Sequence, residues 1–354
     1  MGELERQRRL GPDLMTAEPL PLEAPRAAWR PWGFLRSWLG MAGIGGRWVV
    51  ILPPLLWLAI FFLVPLLIVI KIAFSESVVA QPPYMPLLTI SPEGDVQLTL
   101  HLSTFLYLTQ DHLYLDAYLS SLKIAFISTV LALLVAYPMA YFIARSPDRI
   151  RNVLLMLVIL PFWSSFLLRV YAWIGFLKPN GVIDNLLEGV GVQRVIDWAN
   201  PQLAHLGLSI PSLPWPMLYS DFGVYIGIVY SYLPFMILPL YTNLVKLDGA
   251  LLEASADLGA KPFRTFLSVT LPLSVPGIIA GSMLVFIPAI GEYVIPTLLG
   301  GPSTLMIGRV LWDEFFANRD WPTASAVAIA MLVAVVVPLM ILQRAQAAFV
   351  ERQQ

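Results

Sequence analysis

EASADLGAKPFRTFLSVTLP, Glu253 to Pro272, is a polar interruption between two long apolar runs. Just before and within it, Leu247, Leu251, Ala254 and Leu258 recur at the spacing of one helix face, which predicts a short amphipathic helix. Asp248 stands where a carboxylate accepts the orphan N–H groups of a first turn. Glu253 and Asp257 put acid on another face. Gly259 sits where a helix end calls for a left-handed residue, and Pro262 suits the first position of a second short helix. Phe263, Phe266 and Leu267 give that second helix an apolar ridge, and Leu271-Pro272 marks the entry to the next apolar run. Apolar ridges on so small a loop predict a docking site.

The surrounding chain is built for lipid. Of 354 residues, 58% are hydrophobic and 13% charged, with mean hydropathy +0.73. Soluble domains carry about 25% charged residues. Six apolar runs each suffice for the roughly 20 helical residues that cross a bilayer: Trp48–Phe74, Ala117–Ala144, Val153–Leu177, Phe222–Val245, Leu271–Leu298 and Ala324–Leu342. The first lies too deep in the chain, and is too long, for a cleaved signal peptide. The expected fold is an all-α integral membrane bundle: a six-span domain over 48–343, flanked by tails at 1–47 and 344–354.

Basic residues orient the bundle. Arg6, Arg8, Arg9, Arg26, Arg30, Arg36 and Arg47 precede span one; Arg145, Arg149 and Arg151 follow span two; Lys246, Lys261 and Arg264 follow span four; Arg344 and Arg352 follow span six. Only Lys178, Arg194, Arg309 and Arg319 fall on the other side. Both termini and the 247–272 loop are therefore expected in the cytoplasm. The opposite loops hold Glu76, Glu93, Asp95, Asp111, Asp116, Asp184, Glu188, Asp197, Asp221, Asp313, Glu314 and Asp320. That acidity reads either as a vestibule concentrating cations or as ordinary solvated loops.

The tail begins proline-rich, at Pro12, Pro19, Pro21 and Pro25, which fits disorder, and from Trp29 to Trp48 its Trp and Arg content suits the membrane interface. The loop from Ser75 to Asp116 suits an extended, partner-facing structure, and the IPSLPWP run, Ile210–Pro216, a partial return to the membrane. Every span contains proline, which bends a helix and frees carbonyls that neighbours or a wet cavity must satisfy. The absence of cysteine excludes disulfides and thiolate chemistry, and His101, His112 and His205 lie too far apart in sequence for a metal-ligand spacing.

The 253–272 spacing resembles the signature of permease subunits of binding-protein-dependent ABC importers. In that pattern E-A-A is followed by three residues, G, nine residues, I, one residue and L-P. Glu253, Ala254, Gly259, Leu271 and Pro272 match; Ser255 replaces the second alanine and Val269 the isoleucine. The resemblance implies the six-helix type I importer permease fold, with this loop as a coupling helix seated on a cytoplasmic ATPase, and makes Phe263 and Phe266 candidate contacts. The chain has no G-x-x-x-x-G-K-[ST] loop, so ATP and Mg²⁺ are expected on a separate subunit. No cofactor, metal or nucleic acid is expected on this one.

Charges inside the spans are candidate functional residues. Arg169 in FLLRVYAW and Glu292 in AIGEYVIP fall at similar depth when counted along straight helices. They read either as an ion pair joining two spans or as groups on a solute path. Trp163, Tyr171, Trp173, Tyr230, Tyr232 and Tyr293 crowd the same half, as faces for an alkylammonium group or as packing.

PFWSSFLLRVYAWIGFLK (161–178), YIGIVYSYLPFMILPLY (225–241) and the run from Gly281 to Pro322 are similar to the spermidine/putrescine-type permeases, within that group the larger, putrescine-importer subunit. The likeness spans Trp48 to Leu342 and implies a second homologous permease, two ATPase subunits, a periplasmic polyamine-binding protein and a bacterial inner-membrane location. The alternatives are a permease for another small solute, a secondary transporter or channel gated by Arg169 and Glu292, or an accessory scaffold.

Overall fold

The computed structural model describes residues 46–90, 96–205, 210, 212, 217–302 and 304–351. Nearly all of the expected 1–47 tail, including most of its interfacial segment, lies outside the described residues, as does most of the Ile210–Pro216 run.

The chain divides into two units at Pro65 and Leu66. In the first, helix α1 (Gly46–Leu58) runs into a π turn, Ala59–Leu63. Helix α2 (Val64–Ala73) follows in sequence, and Val50–Ala73 is long and apolar enough to cross a membrane.

The core of the second unit is made by three long helices: α4 (His112–Arg145), α9 (Asp221–Leu244) and α12 (Leu271–Ile290), with α9 packed extensively on the other two. Small residues let them approach, as membrane helices require when apolar burial gives no net drive. Along α4, Ala117, Ser121, Ala125, Ala132, Ala136 and Ala140 form a buried stripe. On α12, a Cβ at Gly281 would meet the Met236 sulfur at 2.8 Å and its carbonyl oxygen at 3.0 Å. Two buried clusters fill the bundle, one around Ile228, Ile295 and Met306, the other around Ala136, Met236 and Leu240.

Shorter elements complete the unit. A hairpin pairs β1 (Leu88–Ile90) with β2 (Val96–Leu98) antiparallel, Thr89 opposite Gln97, and α3 (Ser103–Gln110) follows. The loop expected to be extended is thus partly strand and helix. Helix α5 (Asp148–Ile159) and a 3₁₀ turn (Leu160–Trp163) lead to α6 (Phe166–Leu177). Helices α7 (Val182–Gly189) and α8 (Val192–Ala204) cover the connection to α9. After the loop helix α10 (Gly249–Asp257) come α11 (Pro262–Thr265), a π turn (Phe266–Thr270) and α12. The chain ends with α13 (Val294–Leu299), α14 (Ile307–Trp312), a π turn (Asp313–Ala317) and α15 (Trp321–Glu351).

Among the described residues, four helices are long and apolar enough to span: Val50–Ala73, His112–Arg145, Asp221–Leu244 and Pro262–Ile290. The third expected span is not straight. Asp148–Trp163 and Phe166–Leu177 meet at 92°; the backbone turns extended at Ser164 and Ser165, and the Ser164 hydroxyl donates to the Pro161 carbonyl at 2.7 Å. The fifth span also differs from its expected 271–298 bounds. It begins at Pro262 and stops at Ile290, and α13 is a separate piece. The sixth shows apolar helix over Trp321–Val337, and the expected carboxy-terminal tail continues that helix to Glu351.

Candidate functional site

At one end of the second unit, α10 begins as its sequence dictates. The Asp248 carboxylate accepts the Ala250 N–H at 3.0 Å. The helix closes on Gly259 at φ +80°, with the Gly259 N–H donating to Ala256 and the Ala260 N–H to Ser255. This is a Schellman ending, in which a left-handed residue satisfies the last carbonyls. Pro262 opens α11, but that helix does not stand alone. It passes through the π turn straight into α12, so the second arm of the loop is the end of span five.

The loop's apolar residues divide. Leu258 is 89% and Phe263 72% exposed, and Glu253, Ala254, Leu251 and Pro272 are exposed with them. Leu247 packs on the second cluster, and Leu271 is half-buried. Phe266 turns inward, edge-on to Tyr137 with ring centroids 5.5 Å apart. Beside it lies an apolar groove of about 440 Å³ lined by residues that include Leu133, Tyr137, Tyr141 and Ile278.

The other cluster surrounds the break after α12. Glu292 is not within a helix: it sits between α12 and α13 and is 8% exposed. Its Oε1 accepts the N–H groups of Val294 at 3.1 Å and Ile295 at 3.4 Å, and its Oε2 accepts the Tyr232 hydroxyl at 2.5 Å. A carboxylate at the first turn of a helix answers orphan donors there. Helix α14 seals the break from the other side. A Cβ at Gly308 would lie 2.5 Å from the Gly291 carbonyl oxygen and 2.8 Å from that of Glu292. The Ile307 N–H donates to the buried Ser121 hydroxyl of α4 at 2.7 Å. Tyr293 stacks on Trp312 at 4.4 Å.

Of the two readings of Arg169 and Glu292, the ion pair is not formed: no such contact exists within 4.0 Å among the described residues. The 92° turn at Ser164 and the break at Gly291 invalidate a depth counted along straight helices. Arg169 instead lies over the rings of Phe162 (5.2 Å) and Phe166 (5.9 Å), with its buried Nε lacking a hydrogen-bond partner. Between the two charges runs an aromatic series: Phe162 edge-on to Phe235, and Phe235 beside Tyr232. Trp173 packs edge-on to Tyr230 at 5.4 Å. Trp163 (74%) and Tyr171 (55%) are exposed and join neither cluster. Phe162, Phe235, Ser121 and Gly308 were not legible as site residues, because apolar and small residues in a span carry no distinguishing pattern.

Several acids of the loops on that side are held locally. Asp111 caps α4, accepting the Leu113 N–H at 2.9 Å. Glu314 accepts the Tyr114 hydroxyl at 2.9 Å and Asp221 the Thr304 hydroxyl at 2.6 Å. Asp320 accepts the Thr323 N–H and hydroxyl at the start of α15. A hydrogen bond to Asp111, reinforced by its charge, pushes the Tyr107 hydroxyl above the ordinary phenol range.

Comparison with known proteins gives these sites a context. Residues 37–352 match the family model described as binding-protein-dependent transport system inner membrane component. The spermidine/putrescine transport system permease protein PotB of Salmonella typhimurium (strain SL1344) is 36% identical over 297 residues, 84% of this chain and 92% of that protein. Its counterpart in Escherichia coli (strain K12) is 36% identical over 289 residues, 82% and 94% of the two chains. A chain of a bacterial alginate ABC transporter, solved in complex with an alginate pentasaccharide-bound periplasmic protein, aligns with a TM-score of 0.58 at 18% identity, covering 88% of this chain and 95% of that one. It shows the same fold. The chain is thus a transport subunit and not an enzyme, its fold is that of an ABC importer permease, and it belongs to the family of binding-protein-dependent transport system inner membrane components.

Proposed function

We propose that this chain is a permease subunit of an ATP-driven importer carrying polyamines, putrescine or spermidine, across the bacterial inner membrane by alternating access. The observation that carries the reading is 36% identity to a spermidine/putrescine permease over 92% of that protein's length. Both termini face the cytoplasm, and the 247–272 loop seats on an ATPase. Glu253, Ala254, Gly259, Phe263, Leu271 and Pro272 shape or present the contact face, and Phe266 anchors it to the bundle. ATP and Mg²⁺ act on two such ATPase subunits. A second, homologous permease completes the membrane part, and a periplasmic polyamine-binding protein delivers the cargo.

The residues toward the far end act as a gate to the solute path. Glu292 and Tyr232 hold the break after span five, and Tyr293, Trp173 and Tyr230 give that region aromatic faces suited to an alkylammonium chain. Trp163 and Tyr171 present exposed apolar area that fits the second permease, and Arg169 stands at the bend of the span that carries it.

Labelled putrescine uptake tests the reading, in cells whose only polyamine importer is this transporter. Uptake that spermidine competes away and that stops in Gly259→Val supports it. Uptake absent in cells with the intact, inserted transporter overturns the polyamine assignment.

A further inference from the structure

At the one place in its first three signature positions where the chain departs from E-A-A, it carries a hydroxyl. Ser255 Oγ lies 2.9 Å from Thr265 Oγ1, one donating to the other. Ser255 belongs to α10 and Thr265 is the last residue of α11. Among the described residues this is the side-chain hydrogen bond that joins the two arms of the loop. The arms also pack on one another and are joined by backbone through Gly259, whose Cβ position has nothing within 4 Å. The backbone bonds of Gly259 and Ala260 run back into α10 itself, so the hydroxyl pair is a polar tie from α10 across to α11.

Beyond Thr265 the contacts continue into the bundle. Phe266 is edge-on to Tyr137 at 5.5 Å. The Ser274 hydroxyl donates to the Leu271 carbonyl, so the 2.9 Å contact between Tyr137 and Ser274 has the tyrosine as donor. Tyr137 belongs to α4 and Ser274 to α12.

We propose that the Ser255–Thr265 pair is the positioning clasp that makes α10 and span five move as one body, with Phe266 and Tyr137 carrying that movement to α4. The proposal rests on the reading of the loop as the ATPase seat. The hydroxyls touch no nucleotide and no cargo; they set whether motion at the loop reaches the far end.

The chain has no cysteine, so Tyr293→Cys supplies a single maleimide-reactive reporter on this chain beside Glu292, read from this chain's own gel band. The transporter is purified with its ATPase by a tag on this chain, and labelling is compared with and without ATP and vanadate. Ser255→Ala or Thr265→Val should each reduce the ATP-dependent change in labelling about threefold, the scale of one lost neutral hydrogen bond. The double variant should fall no further, co-purified ATPase should stay unchanged, and Ser255→Thr should restore the response. A wild-type response in both single variants overturns the clasp alone. A Phe263→Asp variant that keeps its ATPase overturns the docking reading, and the clasp with it.

Discussion

The Tyr232 hydroxyl donates to Glu292 at 2.5 Å, joining the central helix α9 to the break that ends span five. The same carboxylate answers two backbone N–H groups of α13. Its removal therefore leaves three donors seeking partners at a buried position. Glu292→Ala should cost about 1–3 kcal/mol for the unmet groups, more than Tyr232→Phe. Glu292→Gln should cost least, because its carbonyl oxygen still accepts from Val294 and Ile295 while the tyrosine can turn to accept. Thermal unfolding of the detergent-solubilised transporter ranks the three.

Arg169 is held by ring faces and not by Glu292. Arg169→Met and Glu292→Gln should therefore act independently, their stability changes adding to within about 0.5 kcal/mol in the double variant. A coupling well beyond that range would mean the two charges pair in solution.

Gly308 touches the backbone of the break, with carbonyl oxygens at 2.5 and 2.8 Å from where a Cβ would sit. Backbone cannot step aside as a side chain tip can. Gly308→Ala should cost about 1–3 kcal/mol, the usual penalty of overpacking. Gly175→Ala, with nothing within 4 Å of its Cβ position, is the matched control and should change the unfolding temperature little.

Gly259 adopts φ +80° in open space. Gly259→Val should meet no clash from neighbours and still be strained, since a β-branched residue resists the left-handed region. The protein should insert and reach wild-type abundance on membrane blots, while uptake falls at least about tenfold. Gly259→Asn, which tolerates that conformation better, should retain more uptake.

The 247–272 loop was legible because each of its devices is local. Asp248 caps the start of α10, Gly259 closes its end, and Pro262 starts α11, all within one turn of the residue named. The far cluster was legible only as a set of charges and rings. Pairing Arg169 with Glu292 required two straight helices, and the one turns at Ser164–Ser165 while the other stops at Ile290. Phe266 shows the same limit on a smaller scale. Apolar spacing puts it on one ridge with Phe263, and the structure turns it in against Tyr137 of α4, a neighbour distant in sequence that spacing along the loop does not name.

Two of the π turns end one residue before the residue that precedes a proline. Val64 donates to Ala59 ahead of Pro65, and Leu271 donates to Phe266 ahead of Pro272. Each therefore holds one residue more than a regular turn, and one residue of helix corresponds to about 100° of rotation. In span five the π turn therefore sets the azimuth of Phe263 relative to the helix above. Deleting a single residue between Phe266 and Thr270 would leave the span's length almost unchanged and point Phe263 in another direction.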